Sequence, residues 1–311
     1  MKVLIIGGAG FIGLSVAKKF LQKNLNVVIV DSDYRIQRNI ADLTGTESIV
    51  MDFTDLDVNL LDSIISKGDI VIHLACTTNP SKSMQDIKYD AQSNILPSID
   101  IFKIAIKNKA SKIIFSSSGG TVYGNVSSSS IIESDDKKPI SAYGVSKLAI
   151  ENYLLLMTAN SDTNGICLRI GNPYGSYQLK GTTIGAIAAF FNATKNNETI
   201  TIWGDGNFIR DYLYIDDLSN AFYCALRDDS LSGVFNVGSG VGHSLNQLIT
   251  IINETTQIDN IIEYTKKRGF DVPSIVLNTN KFNKKTGWSC QYSINQGINK
   301  MWDRIKNDEK N

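Results

Sequence analysis

The first 170 residues alternate between short apolar runs and longer stretches with helical periodicity. Six runs are almost continuously apolar, as in strands that are buried on both faces of a parallel sheet. These runs are residues 2–6, 26–30, 48–51, 69–74, 112–117 and 165–170. Four intervening stretches predict helices: residues 11–23, 54–66, 84–109 and 141–157. The alternation predicts an α/β fold with a doubly wound parallel sheet and right-handed crossovers.

The regular alternation ends near residue 171. Beyond it, glycine, asparagine and proline become frequent and the apolar runs shorten. We therefore predict one domain over residues 1–170 and a smaller α+β substrate domain over residues 171–311. A later segment, about residues 208–237, is expected to return to the first domain.

Composition excludes several functional classes. Basic and acidic residues number 31 each, so the chain has no net charge that would favour nucleic acid or an anionic membrane. The four cysteines form no CxxC pair and there are two histidines, so we expect no metal site. No apolar run approaches the ~20 residues of a membrane span. We expect a reduced, cytoplasmic protein that does not contact membranes.

A glycine-rich segment between the first strand and the first helix carries the clearest chemical signal. It reads Gly7-Gly8-Ala9-Gly10-Phe11-Ile12-Gly13. In this context, GxxGxxG is a dinucleotide-binding fingerprint that identifies the sheet as Rossmann-type. Gly7 allows a tight turn, Gly10 lets the backbone approach a pyrophosphate, and Gly13 allows close packing. The free amides at the helix start, including those of Phe11 and Ile12, favour phosphates.

An acidic residue follows at the end of the second strand. Asp31 lies 18 residues after Gly13 and is expected to accept the ribose hydroxyls of the cofactor. A carboxylate there repels a 2′-phosphate, which favours NAD(H) over NADP(H). The alternative is a turn rich in glycine followed by a capping aspartate.

Tyr143 and Lys147 lie four positions apart in the segment SAYGVSK. That spacing puts both side chains on one face of a helix. We predict that the ammonium of Lys147, together with the positive nicotinamide of NAD⁺, lowers the pKa of Tyr143 until it serves as a general base. A solvent-exposed helix face is the alternative interpretation of the pair.

Taken together and in order, these motifs resemble the extended short-chain dehydrogenase/reductase family, and within it the nucleotide-sugar 4-epimerases of the UDP-glucose and UDP-N-acetylglucosamine type. The resemblance covers nearly the whole chain. It rests on GGAGFIG, HLAC at 73–76, SSSGGTVYG at 116–124, YGVSK, RIGNPYG at 169–175 and WGDGNFIRDYLYIDDL at 203–218.

The resemblance implies further cofactor-binding residues. Asp52 and Phe53 match the pair that flanks adenine. Leu74, Ala75 and Cys76 match the segment that lines the cofactor after the fourth strand, with Cys76 where alanine is usual. Asn94 matches a helix asparagine that supports the site.

The resemblance also implies substrate-binding residues. Asn172 matches a residue that contacts the sugar nucleotide, and Arg210 and Arg268 match arginines that hold its diphosphate. Arg210 could instead pair with its neighbour Asp211.

The active-site hydroxyl departs from the family pattern. The family has serine or threonine four residues before the tyrosine of VYG, and this chain has Gly119 there. Either Ser118 or Thr121 supplies the hydroxyl, and we favour Ser118 as the third catalytic residue. It would hydrogen-bond the sugar O4 and relay its proton to Tyr143.

The function implied is an NAD-dependent inversion at C4 of a nucleotide-linked hexose through a 4-keto intermediate. A 4-keto-6-deoxy nucleotide-sugar reductase using NAD(P)H is the first alternative, and a non-catalytic NAD-binding regulator is the second. Family relatives often make precursors of surface polysaccharides such as O-antigen. They also pair two helices across a two-fold axis, which implies a homodimer through helices 84–109 and 141–157.

Overall fold

A parallel sheet of seven strands forms the centre of the chain. The structure is a computed structural model that describes residues 1–126, 128–180, 185–266 and 272–308. Within these residues the strands are β1 Val3–Ile6, β2 Val27–Asp31, β3 Glu47–Val50, β4 Ile70–His73, β5 Lys112–Ser118, β6 Asn164–Ile170, β7 Asn172–Tyr174, β8 Ile200–Trp203, β9 Ile209–Tyr214, β10 Gly233–Val237, β11 Gly242–Ser244, β12 Ile262–Thr265 and β13 Ser274–Ile275.

The helices of the same residues lie between the strands. They are α1 Phe11–Leu21, α2 Asp33–Arg38, α3 Val58–Ile64, α4 Pro80–Ser83, α5 Ile87–Lys107, α6 Gly119–Val122, α7 Ala142–Thr158, α8 Ala186–Asn196, α9 Ile215–Arg227, α10 Leu245–Thr256, α11 Asn280–Thr286 and α12 Ile294–Asp308. Two 3₁₀ helices cover Ile40–Leu43 and Ser176–Lys180.

The strand order of the large sheet is β10-β6-β5-β4-β1-β2-β3, and all of its pairings are parallel. Alternate residues of each strand pack on opposite faces, because side chains alternate along a strand. Val3 and Ile5 join the cluster that contains α1 and α9, whereas Leu4 and Ile6 join the cluster that contains α5 and α7. The predicted doubly wound sheet is confirmed.

The strand order reverses between β1 and β4, which is where such sheets bind ligands. Connections that leave the carboxyl ends of these strands meet at this edge. Smaller sheets lie beyond it: β9 pairs with β7, β11 and β13, while β8 pairs with β12. The division into domains at residue 170 stays a prediction, although β10 does join the large sheet.

Several elements differ from the predictions. The third strand was predicted to be buried on both faces, but β3 is the edge strand of the sheet and is largely exposed, with Val50 at 53%. The second predicted helix begins at Val58 instead of residue 54, because Asp57 caps it by accepting a hydrogen bond from the Leu60 amide. The sequence pattern also missed α2, which buries one apolar residue, Ile36. In the described part of the chain, no helix is long and apolar enough to cross a bilayer.

Candidate active site

A cleft of about 910 Å³ opens at the carboxyl edge of the large sheet. One end lies against the glycine turn and α2, and the middle lies against the ends of β5 and β6. The far end lies against β8 and β9. The cleft therefore has the length for an extended ligand and touches most of the residues that the sequence singled out.

The glycine turn has the geometry of a phosphate cradle. Gly7 has a φ of 82°, and a Cβ there would come within 2.6 Å of the Ala75 amide nitrogen. A Cβ on Gly13 would overlap the carbonyl oxygen of Gly8. No side chain caps α1 at Gly10, so its first amides stay open toward the cleft, which Phe11 and Ile12 line. These residues fit the pyrophosphate of a dinucleotide.

Asp31 ends β2 below this turn. Its Oδ2 accepts a hydrogen bond from the Ala9 amide at 2.9 Å, and its Oδ1 accepts one from the Ser32 amide at 2.8 Å. Burial raises the pKa of Asp31 above its usual range, and Arg35 is the largest influence in the opposite direction. Asp31 is 8% exposed and is not among the described residues that line the cleft.

The segment after β4 forms the neighbouring wall. Leu74 lines the cleft, while Ala75 and Cys76 are not among the described lining residues. Asn94 holds this segment: its Oδ1 accepts from the Thr77 amide at 3.0 Å, and its Nδ2 donates to the Thr77 hydroxyl at 2.9 Å. Asn94, which is 3% exposed, thus holds the segment after β4 in place.

The two residues predicted to flank adenine follow β3. Asp52 accepts hydrogen bonds from the amide and hydroxyl of Thr54, both at 2.8 Å. The ring of Phe53 packs against His73 with a centroid separation of 5.2 Å. Neither Asp52 nor Phe53 belongs to the described cleft lining, so their contact with adenine stays a prediction.

Tyr143 and Lys147 lie on α7, which Ser141 begins by capping the Gly144 amide. Tyr143 lines the cleft. The Lys147 ammonium is 5.6 Å from the centre of the Tyr143 ring and donates a hydrogen bond to the Ser116 carbonyl at 2.9 Å. Lys147 is 4% exposed. Its charge is therefore fixed at the end of β5, beside the phenol.

Burial opposes the predicted lowering of the pKa of Tyr143. Burial raises the pKa of Tyr143 above its ordinary value near 10, and electrostatic repulsion from Cys76 and Asp90 adds to this. In the chain by itself, desolvation of the phenolate dominates. The prediction that Lys147 and the positive nicotinamide of NAD⁺ together lower the pKa of Tyr143 stays a prediction.

Two hydroxyls line the cleft near Tyr143. Ser118 ends β5 and is half-buried. The hydroxyl oxygen of Thr121 is buried and has no hydrogen-bond partner among the described residues. Asn172 also lines the cleft, and its Oδ1 lies 3.0 Å from the point where a Cβ on Gly120 would be. A side chain at position 120 would crowd this corner, which explains the glycine there.

Arg210 lines the far end of the cleft from β9. Its Nη1 donates to the Val272 carbonyl at 2.6 Å, and its guanidinium lies 5.8 Å from the centre of the Phe208 ring. The neighbouring Asp211 carboxylate is buried and accepts hydrogen bonds from the amides of Ser239, Gly240 and Leu277. Arg268 lies outside the described residues.

Sequence reasoning missed two groups of residues at this site. The first is Tyr34, Arg35 and Arg38 on α2, which line the cleft beside the glycine turn. The spacing of Arg35, four residues after Asp31, is a signal that could have found it. The second is Asp90, a buried carboxylate near Tyr143, which nothing in the local sequence distinguishes from a solvated acid.

A dinucleotide-type glycine turn and Tyr143 line one cleft, and Lys147 is buried beside Tyr143, an arrangement typical of a short-chain dehydrogenase/reductase enzyme scaffold. Residues 3–238 match the model of the NAD dependent epimerase/dehydratase family. The chain belongs to that family.

Relatives with known descriptions span the whole chain. An Escherichia coli dTDP-4-dehydro-6-deoxyglucose reductase is 32% identical, covering 98% of this chain and 97% of the relative. A Mycolicibacterium smegmatis UDP-glucose 4-epimerase is 29% identical, covering 99% of both. The structure of a Thermotoga maritima UDP-glucose 4-epimerase with UDP-glucose has a TM-score of 0.90 and 31% identity, covering 99% of this chain and 100% of that one.

Proposed function

We propose that this protein is an NAD-dependent epimerase that inverts C4 of a UDP-hexose or UDP-N-acetylhexosamine. One observation carries the proposal: a single cleft is lined by the glycine turn, by Ser118 and Tyr143, and by Asn172 and Arg210. A dinucleotide and a nucleotide sugar can meet there end to end. The relatives described as UDP-glucose 4-epimerases, one of them bound to UDP-glucose, support the substrate class.

The chemistry assigned to this chain is proton transfer at the sugar. NAD, when bound, would supply the acceptor for the hydride that leaves C4 and the donor for its return to the opposite face of the 4-keto sugar. Tyr143 takes the proton from O4 and later returns it, and Ser118 holds O4 in line with the phenol. Lys147, fixed by the Ser116 carbonyl, stabilises the phenolate. Because burial raises the pKa of Tyr143 in the chain alone, the base needs the additional positive charge of the oxidised nicotinamide.

The far end of the cleft is assigned to the nucleotide diphosphate. Arg210 is proposed to supply a cation there, and Arg268 is proposed as a second one. The protein has no net charge, so local cations must hold the diphosphate while the 4-keto sugar turns over. Asn172 is proposed to contact the sugar nucleotide between the diphosphate and Tyr143.

The test is incubation of the purified protein with UDP-glucose and, separately, UDP-N-acetylglucosamine, without added cofactor. Chromatography and NMR should resolve a mixture of the C4 epimers. Tyr143→Phe should lower turnover by about 10²- to 10⁴-fold. A wild type that binds NAD and converts neither UDP-sugar would favour a non-catalytic NAD-binding regulator, whose own function Tyr143→Phe should leave intact.

A 4-keto-6-deoxy nucleotide-sugar reductase is the second candidate, because the E. coli relative with that description is as similar as the epimerases. A reductase consumes one reduced cofactor for each product. Loss of absorbance at 340 nm with a dTDP-4-keto-6-deoxyhexose and NADH or NADPH, with no epimerisation in the first assay, would select the reductase.

We also propose a homodimer formed by α5 and α7. These helices pack on each other and expose apolar side chains, including Leu96, Leu156 and Tyr153, at 57%, 71% and 42%. Two copies related by a two-fold axis would cover this surface.

Light scattering should give the dimer mass at micromolar concentration, and Leu156→Glu should give monomer. Ile261→Glu, at a residue 73% exposed and outside both helices, is the matched control. A monomeric wild type contradicts the proposal.

Location and pathway follow from the proposed reaction. The four free cysteines suit a reducing cytoplasm, where nucleotide sugars and NAD are available. A role in surface-polysaccharide synthesis is proposed on the same basis. Loss of a C4-epimeric sugar from the polysaccharide of a deletion strain would support it.

A further inference from the structure

Gln178 is a polar residue of the cleft wall that the proposed function does not use. We propose that its Oε1 accepts a hydrogen bond from the donor on C2 of the bound sugar, and that Gln178 thereby determines specificity at C2. The donor is the O–H of a hydroxyl or the N–H of an acetamido group. This inference rests on the proposed function, because it assumes a nucleotide sugar whose C4 lies at Tyr143. It adds a partner for C2, to which the proposed function assigns none.

The Gln178 side chain is buried, yet one of its polar atoms has no partner. Gln178 is 7% exposed and lines the cleft from the 3₁₀ helix Ser176–Lys180. Its Oε1 is buried and accepts no hydrogen bond from the described residues. A buried acceptor without a donor is costly, so a donor supplied by a bound ligand would be favourable there.

Two contacts fix the orientation of the Gln178 amide. Its Nε2 donates a hydrogen bond to the Pro173 carbonyl at 3.4 Å. Because that carbonyl can only accept, the amide nitrogen faces Pro173 and Oε1 points elsewhere. The amide also lies against Gly185, where a Cβ would come within 2.6 Å of Nε2. Glycine at position 185 therefore leaves room for the amide between β7 and the start of α8.

The place of Gln178 along the cleft favours C2. Gln178 follows β7, which carries Asn172, and precedes α8, after which the chain enters β8 at the far end. The wall that contains Gln178 therefore runs from the part assigned to C4 to the part assigned to the diphosphate. C2 is bonded to C1, which carries the diphosphate, so its substituent lies along this interval. The diphosphate offers acceptors alone at neutral pH and cannot satisfy the Gln178 Oε1.

The start of α8 suits a group that accepts as well as donates. No described side chain caps α8 at Gly185, and Gly185, Ala186 and Ile187 line the cleft. Amides in the first turn of a helix have no acceptor within the helix. A C2 hydroxyl oxygen, or the carbonyl of a C2 acetamido group, can accept from them while its O–H or N–H donates to Gln178. Both substrate classes of the proposed function therefore fit this wall.

Deoxy sugars test the contact through binding. UDP, UDP-glucose, UDP-2-deoxyglucose and UDP-3-deoxyglucose are titrated by calorimetry into the full-length Tyr143→Phe protein with NAD added, where slow turnover does not interfere. The 2-deoxy ratio is the Kd of UDP-2-deoxyglucose divided by that of UDP-glucose, and the 3-deoxy ratio is defined in the same way. We expect a 2-deoxy ratio of about 5 to 100, because loss of O2 leaves the Gln178 Oε1 without a donor.

A variant of Gln178 assigns the ratio to this residue. Gln178→Met, in the same background, keeps the length of the side chain and removes the acceptor. The 2-deoxy ratio should fall below about 2, while the 3-deoxy ratio and the affinity for UDP change less than about twofold. Gln22→Met replaces an exposed glutamine at the end of α1 and should change neither ratio. Because each ratio compares two sugars on one protein, a general loss of stability cancels.

Four outcomes overturn the inference. Equal affinity for UDP-glucose and UDP-2-deoxyglucose, or a 2-deoxy ratio that persists in Gln178→Met, removes the contact and leaves the proposed epimerase intact. A variant that lowers the 3-deoxy ratio instead assigns Gln178 to C3. Failure of UDP itself to bind removes the nucleotide end of the cleft, and the proposed function with it.

Discussion

Asp90 Oδ2 accepts a hydrogen bond from Ser146 Oγ at 2.6 Å, joining α5 to α7 immediately beside Lys147. The other Asp90 oxygen accepts a hydrogen bond from the Thr78 hydroxyl on the segment after β4. The buried Asp90 carboxylate, 1% exposed, thus connects the segment after β4 to α7, the helix that carries Tyr143. These hydrogen bonds hold the two elements together, and the charge of Asp90 opposes ionisation of the Tyr143 phenol.

We predict that Asp90→Asn shifts the pH dependence of the enzyme. Asp90 contributes, after burial and Cys76, to raising the pKa of Tyr143. Without that contribution the phenol ionises at lower pH, so the acidic limb of the kcat/KM profile should move to lower pH. The shift should be read from initial rates across the pH range in which the protein stays folded.

Ser146→Ala is the matched control for Asp90→Asn. It removes the hydrogen bond between Ser146 and Asp90 and keeps the carboxylate. It should therefore lower the free energy of unfolding by about 1 kcal/mol without moving the acidic limb of the kcat/KM profile to lower pH. An unchanged profile for Asp90→Asn would show that the carboxylate has a structural role alone.

Much of this fold follows from local sequence, and the reasons are specific. The strands of runs 2–6 and 112–117 lie inside the sheet and are buried on both faces, so their consecutive apolar residues identified them. The sequence did not predict the small sheets, because β9 pairs with β7, β11 and β13 from distant parts of the chain. No local pattern encodes such pairings.

The candidate site, like the fold, could be predicted from the sequence only in part. The glycine turn and the tyrosine–lysine pair are local motifs with fixed spacing, and the sequence identified both. The roles of Asp90 and Arg35 depend on which helix packs where. Asp90 is buried because α5 packs on α7, and Arg35 lines the cleft because Ile36 anchors a helix of six residues.

A second prediction concerns the buried ion pair under α7. Arg169 Nη2 lies 2.7 Å from Glu151 Oε2, with both side chains at most 4% exposed, and Arg169 also donates to the Tyr123 hydroxyl at 3.0 Å. Arg169→Met or Glu151→Met leaves one buried group without its partner, which should cost about 3–5 kcal/mol of unfolding free energy. Denaturant unfolding measures the loss.

The double variant Glu151→Met with Arg169→Met should lose less than the sum of the single losses, because it leaves no unpaired buried charge. Additive losses would contradict a coupled pair. Since α7 carries Tyr143, we also expect the single variants to lose activity beyond their unfolded fraction.

A third prediction concerns stability at acidic pH. His73 is fully buried among Phe53, Phe102 and Phe115, and its Nε2 is 2.8 Å from the Ser98 hydroxyl. Burial lowers the pKa of His73 to about 3, with the Lys147 charge contributing. The unfolded chain takes up this proton near pH 6.5 and the folded chain does not, so stability is full above pH 6.5 and falls between pH 6.5 and about 3.

The His73 effect should approach about 1.4 kcal/mol per pH unit within that window. His73→Gln keeps a polar partner for Ser98 and does not titrate, so the difference between wild type and variant isolates the imidazole. Unfolding free energies at pH 7, 6 and 5 provide the measurement. A difference that does not change with pH would mean that the pKa of His73 is the same in the folded and unfolded chain.

The fourth prediction identifies the hydroxyl that works with Tyr143. Ser118 is half-buried on the cleft wall, whereas the Thr121 hydroxyl is buried without a partner among the described residues. If Ser118 holds the sugar O4, Ser118→Ala should lower kcat on the order of a hundredfold, as for loss of one positioned donor. Thr121→Val preserves shape and should change kcat by less than about threefold. Because both residues line the same cleft, a larger loss for Thr121→Val would reassign the role to Thr121, with its hydroxyl turned toward the sugar on binding.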